Sequence, residues 1–335
     1  MITAKDLEFQ TPADPGHTWA ETYFFPIIIP EEGLMITVYV VVRPGIGVMS
    51  NDVTVYGSLS QTRSDLIYYH AEPHLPAPAR FSEIQSPMGL NVKSLNPPLD
   101  YRIDYVGYDN TEIHVDWIGL MDPFDIHDPS HSPRAGRTQS EQHANSGLGA
   151  AWGGHFDQTG RVKGWVKIRG QHYEVNCVER MDHSWGHRNP VVMNSQDSIS
   201  ASFGEDLALH VISHLDLDAP VGQEHRLAHA YILEDGKVYG VKDGRLRTTR
   251  LGNVVTAMEI QLTDVRDKTF DMHAYSIVGA PWNAYVSTVT YTSMMRWYYQ
   301  GRSGHGCVME TIGLPALSLR RGRRWTQHAS TFYTG

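Results

Sequence analysis

Apolar residues in this chain recur with a period of two. In the segment 161–169, Val162, Val166 and Ile168 fall on one face and Lys163, Trp165 and Lys167 on the other. That is the pattern of a strand half buried against a core. Gly170-Gln171 predicts a turn, and His172 to Cys177 the returning strand. Val254 to Val265 and Phe270 to Val278 predict a second pair around Arg266-Asp267-Lys268, and Tyr285 to Tyr299 is rich in the Val, Thr, Tyr and Trp that favour strands. Asp235-Gly236 and Asp243-Gly244 both read as hairpin turns. Segments with a 3.6-residue apolar stripe are nearly absent, and Met121 to Gly136, broken by Pro and Asp, predicts a long loop. The expectation is an all-β chain of antiparallel strands, too many for one ordinary sandwich, and therefore two β domains.

The length of 335 residues allows two domains with real cores. With 28 Lys and Arg against 37 Asp and Glu, the net charge of −9 argues against a nucleic-acid partner, which would call for excess positive charge. The apolar run Leu34–Val42 stops at Arg43-Pro44, strand length and too short to span a bilayer, so no integral membrane segment is expected. Met1 to Gln10 carries no stretch of signal-peptide type, which makes a cytoplasmic location the default expectation. Two cysteines, Cys177 and Cys307, exclude a disulfide scaffold and read as core thiols. Oligomeric state is not legible.

Chemistry concentrates in Cys177 to Pro190, which packs Glu179, Arg180, Asp182, His183, Trp185, His187 and Arg188 behind a strand. If strand geometry persists, Arg180, Asp182, Ser184 and Gly186 share one face and Met181, His183, Trp185 and His187 the other. Gly186 beside Trp185 suggests a bulge or a close backbone approach. A carboxylate, imidazoles, an indole and guanidiniums at a strand end suit a general acid/base site; an ion-pair network of Asp182 with Arg180 or Arg188 under a packed Trp suits the same residues.

Asp182-His183-Ser184-Trp185-Gly186-His187-Arg188 resembles the Asp-His-Ser-Trp-Gly-x-Arg signature of a broad group. The group includes AttH-like proteins, carotenoid 1,2-hydratase (hydroxyneurosporene synthase), kievitone hydratase and lipocalin-like fungal Diels–Alderases. Glu141-Gln142, ahead of Gly147, is a second match. The resemblance implies two lipocalin-like or sandwich-like antiparallel β domains side by side, with a hydrophobic cleft between them. The division is placed near residue 188, giving a sandwich-like or lipocalin-like domain over 1–188 and a lipocalin-like barrel over 189–335. It also implies an alkene-protonating acid at Asp182. The tyrosine two positions earlier in the carotenoid hydratases is Arg180 here, and an arginine beside an acid stabilises the anion, which opposes general-acid work.

The expected activity is acid-assisted addition or loss of water, or a double-bond shift, on a hydrophobic isoprenoid, terpenoid or polycyclic molecule, with no cofactor. A carboxyl kept protonated by desolvation can protonate an alkene, and aromatic faces stabilise the cation. The candidate catalytic residues are Asp182, His183 and His187; the substrate-binding candidates are Trp185, Arg180, Arg188, Glu141, Gln142, Trp297, Tyr299 and Glu310. Asp182→Asn is then expected to abolish turnover with the fold intact. A hydrophobic-ligand carrier and a pericyclase remain open as alternatives.

The 18 histidines invite a metal-dependent lyase, but the spacing is weak support. His210 and His214, on one strand, would stand roughly 13 Å apart at about 3.3 Å per residue, too far for one ion. Gly301 to Gly306 lacks the Lys-Ser or Lys-Thr of a phosphate loop and reads as a turn. Arg320-Arg321-Gly322-Arg323-Arg324 reads as an exposed basic strand end.

Overall fold

A computed structural model describes residues 1–220, 222–285 and 288–319 of the chain. The run Arg320 to Arg324 lies outside the described residues.

Eleven strands build one curled sheet. They are β1 (Trp19–Ile29), β2 (Leu34–Arg43), β3 (Val48–Tyr56), β4 (Tyr68–Pro76), β5 (Glu83–Gln85), β6 (Leu90–Asn96), β7 (Asp100–Val106), β8 (Glu112–Gly119), β9 (Phe124–Asp125), β10 (Gly154–Ile168) and β11 (Gln171–His187). The order is β4-β3-β2-β1-β11-β10-β8-β7-β6-β5, with β9 on β10. The other eight close into a barrel: β12 (Gln196–Ser202), β13 (Leu207–Leu215), β14 (His225–Glu234), β15 (Lys237–Leu251), β16 (Val254–Asp264), β17 (Thr269–Trp282), β18 (Val289–Tyr299) and β19 (Arg302–Ile312). The all-β expectation of two lipocalin-like units is met. Among the described residues no helix is long and apolar enough to cross a membrane.

Local chemistry explains most of these elements. β2 is a run of β-branched and aromatic residues buried at nearly every position, because its sheet is covered on both faces. Pro26 sits inside β1, yet the β1–β11 ladder ends at Phe24↔Asp182, so its missing N–H interrupts nothing there. The expected turn before β11 is formed by Arg169 and Gly170, both at positive φ (52° and 89°), one residue earlier than Gly170-Gln171. Asp235-Gly236 turns as expected (φ 50° and 73°). Asp243-Gly244 does not: it lies inside β15, where a bulge between Val241 and Asp243 absorbs it. The strand expected from Tyr285 begins at Val289.

The core of the sheet continues into the barrel wall, since Trp282, Met294, Cys307 and Met309 join its cluster. The barrel interior is a separate core containing Trp297 and Tyr299. Both cysteines are buried and free.

Candidate active site

Cross-strand register places one row of side chains on the sheet face turned to the barrel. Asp182 (β11) stands opposite Phe24 (β1), Phe24 opposite Tyr39 (β2), Tyr39 opposite Asp52 (β3), and Asp52 opposite Ala71 (β4). The next row is Ser184, Thr22, Val41 and Ser50. Directly opposed residues share a face, so both rows look toward the second unit.

A cleft of about 790 Å³ opens over the outer part of these rows, a size suited to a small organic ligand. Val41, Ile46, Val48 and Met49 supply apolar surface, Asp52, Tyr69, Arg43 and Arg188 polar groups, and the 283–285 segment a wall. Deeper in, a chamber of about 30 Å³ is lined by Asp182, Ser184, Thr22, Tyr39, Trp282 and Met309, among others. That is room for about one water. Arg188, Ala284 and Tyr285 line both spaces, and the Tyr285 hydroxyl lies 2.8 Å from that of Tyr39.

Asp52 is a buried acid on the cleft, beside the more exposed Glu72. It is 8% exposed, and burial pushes its carboxyl from 3.8 up to about 7, partly offset by a hydrogen bond from Tyr69. Burial also raises the Tyr69 and Tyr39 phenols. A carboxyl near 7 is half protonated at neutral pH, the condition that suits a proton donor.

Of the residues expected from sequence, the structure brings Arg180, Asp182 and Arg188 to this region. Asp182 forms the back wall of the chamber and is ion-paired with Nη1 of Arg180, which is fully buried and lies 4.9 Å over the Phe24 ring. Arg188 donates from Nη2 to Ser184 Oγ at 2.7 Å.

The remaining candidates lie elsewhere. His183 and Trp185 are on the opposite face of β11. His183 packs between Phe81 and Tyr23 (4.6 and 4.8 Å), with its nitrogens at the carbonyls of Thr22 (2.9 Å) and Asp6 (3.1 Å). Burial holds its imidazole down at about 4, so it is a neutral core residue. Trp185 packs on His183 at 5.0 Å and closes over Gly154. His187 is exposed beside Thr18 Oγ1 (3.0 Å) and the Trp19 ring. Glu141 caps the short helix α1 (Gln139–Asn145), its Oε2 accepting from the backbone N–H groups of Arg137 and Thr138, with Gln142 in the same helix. Trp297 and Tyr299 fill the barrel core. Glu310, two positions on from the core residue Val308, points into the barrel and receives a two-pronged contact from Arg250 (2.6 and 2.5 Å). Period-two alternation aims those on strands away from the cleft, and Glu141 and Gln142 sit in a helix that does not line it.

Sequence reasoning missed Asp52, Tyr69, Tyr39 and Tyr285. The strand Val48–Tyr56 gave little signal, because Ser50, Asn51 and Thr54 accompany the acid.

Gly186 makes the expected close approach. Its φ is 153°, and a Cβ there would collide with the Ala150 carbonyl. Gly186→Ala is expected to lower stability by about 1–3 kcal/mol, read by urea unfolding; an unchanged midpoint would show that the 150–153 turn yields freely.

The histidines make a second buried cluster. Asp157 accepts from Nε2 of His155 at 3.0 Å and lies 3.0 Å from Nε2 of His210, and both rings hold its carboxyl far below the usual range. Among the described residues no group of three or more His, Cys, Asp or Glu side chains is arranged to hold a metal ion.

Comparison with known proteins extends the fold. A family model described as a domain of unknown function (DUF7064) matches residues 3–312. No curated protein sequence matches the chain. Among solved structures, kievitone hydratase from Nectria haematococca is similar at 9% identity and a TM-score of 0.52, covering 90% of each chain. A protein assigned as AttH from Nitrosomonas europaea is similar at 12% identity and a TM-score of 0.55, over 91% of this chain and 94% of that one. CghA bound to Sch210972 is similar at 11% identity and a TM-score of 0.51, over 89% of each. The fold is that of the AttH-like group, as the signature implied; identities this low speak for fold alone.

Proposed function

We propose that this chain, which belongs to the DUF7064 family, is an enzyme that adds water to, or removes it from, a carbon–carbon double bond of a lipophilic small molecule held in the cleft between sheet and barrel. The observation that carries the reading is Asp52, a carboxyl raised to about 7 at the wall of a largely apolar cleft of about 790 Å³. The fold shared with a kievitone hydratase supports a reaction of this class.

The proposed sequence is short. Protonated Asp52 gives its proton to one alkene carbon, leaving a carbocation on the other. The aromatic faces of Tyr39 and Tyr69 stabilise the cation. A water from the inner chamber adds to it and returns a proton to the Asp52 carboxylate, which Tyr69 holds by hydrogen bond in the meantime. Asp182, committed to Arg180, is a wall that orients the water rather than the proton donor. The expectation that Asp182 protonates the alkene therefore passes to Asp52, with which no arginine is ion-paired among the described residues.

The test is incubation with lipophilic alkenes, beginning with any ligand carried through purification, in ¹⁸O-labelled water. Products carrying one labelled oxygen are expected; ligands recovered without mass change at every pH between 5 and 9 would leave only the carrier reading. That second reading draws on the Asp182–Arg180 pair, a closed and unreactive wall of the kind a carrier would have.

A further inference from the structure

We propose that the molecule bound in the cleft carries an anionic oxygen head, a carboxylate or equivalent monoanion, that docks on Arg188. The inference rests on the cleft being the ligand site.

Arg188 is 3% exposed, yet it lines both the cleft and the inner chamber. Nη2 donates to the neutral Ser184 hydroxyl, and Nε is buried with no hydrogen-bond partner among the described residues. The other fully buried arginine among the described residues, Arg180, is matched by the Asp182 carboxylate, and the half-buried Arg250 by Glu310. Arg188 has no carboxylate within ion-pair distance among the described residues. Taking a guanidinium out of water without a counter-ion costs more than one hydrogen bond to a hydroxyl returns. A fold keeps such a group where a bound anion completes it.

The surroundings agree. Arg43, also on the cleft, donates from Nη1 only to the carbonyls of His17 (3.1 Å) and Thr18 (3.3 Å). Of the acids near these two cations, Asp182 is committed to Arg180 and Glu72 to His70 at 2.9 Å. Asp52 is on β3, three strands from β11, about 14 Å away at ~4.8 Å per strand. One end of the cleft is thus cationic and its floor apolar. The planar guanidinium fork matches a carboxylate. The ligand class that fits has an anionic head at Arg188 and an apolar body reaching toward Asp52.

Farnesoate and farnesol share one body and differ in head charge, which makes them the probes. With the full chain at low ionic strength, calorimetry is expected to give farnesoate an affinity about tenfold above that of farnesol. Arg188→Met should remove this preference and leave farnesol affinity within about twofold, and Arg188→Lys should keep part of it. Equal affinity of the wild-type protein for both probes, or a preference that survives Arg188→Met, would overturn the proposal while the cleft reading stands. Failure of both probes to bind would remove the cleft reading as well. Arg188→Met should fold with a Tm no lower than wild type, since it removes an unpaired buried charge. A variant that fails to fold would show that Arg188 is a structural residue and end the proposal.

Discussion

Asp52→Asn should abolish turnover and at the same time make the protein more stable above neutral pH. The kinetic half follows from the role of the acid: removing a general acid lowers kcat by about 10²–10⁴-fold. In the wild-type protein the rate should fall as pH rises through about 7, where Asp52 ionises, and the residual rate of the variant should lack that limb. The stability half follows from linkage. The folded protein holds the Asp52 proton up to about 7, while the unfolded chain releases it near 3.8, so between those values the folded state binds the extra proton. The contribution is full below about pH 3.8 and is lost as pH rises through about 7. The rise corresponds to roughly 4 kcal/mol as an upper bound. Urea unfolding at pH 4.5 and pH 8 separates the cases. Wild type should lie within about 1 kcal/mol of the variant at the lower pH, and the variant should be more stable by about four times that at the higher. A variant that still turns substrate over at the wild-type rate removes Asp52 from the mechanism, whatever its stability.

Arg180→Met carries the other large expected effect, about 3–5 kcal/mol of lost stability, because it strands the Asp182 carboxylate in the interior without its partner. Asp182→Asn should destabilise as well, by stranding Arg180, rather than leave the fold intact. The combination Arg180→Met with Asp182→Leu replaces the pair by apolar groups and should recover most of the loss. Urea unfolding at pH 7 of wild type, Arg180→Met, Asp182→Leu and the double variant gives the coupling between the two residues as a double-mutant cycle. Additive losses with no recovery would mean that the two side chains stabilise separate parts of the structure. The cycle also bears on mechanism: turnover that persists in the stable double variant, lowered only by the loss of the water-orienting carboxylate, is the result expected if Asp182 supplies no proton.

Strand identity was legible because the pleat writes burial directly into alternation. Val162, Val166 and Ile168 are buried, as their spacing requires. The division of β11 into two faces was legible too, with Asp182 on one and His183 on the other. Which face the barrel would cover was not, since alternation describes one sheet and is silent on its partner. Asp52 illustrates the limit. In β3, Ser50, Asp52 and Thr54 alternate with Met49, Asn51 and Val53. Alone, the face carrying the acid reads as the solvent side, and only the packing of the second unit turns it inward. Glu141 went astray for a different reason. Thr138-Gln139-Ser140-Glu141 has the spacing of a helix capping box, and that local role accounts for the carboxylate.

The pairing of β1 with β11 has a consequence for biosynthesis. β1 is made before both of its neighbours: β2 follows at once on one edge, and the other edge waits for residues 182–187, about half the chain later. Until then the nascent polypeptide presents an unpaired, strongly apolar edge, the kind of surface that recruits chaperones or seeds aggregation. Such long-separation closure also slows the search for the native state. Expression yield should therefore respond to translation speed and holdase supply more than to the stability of the finished protein.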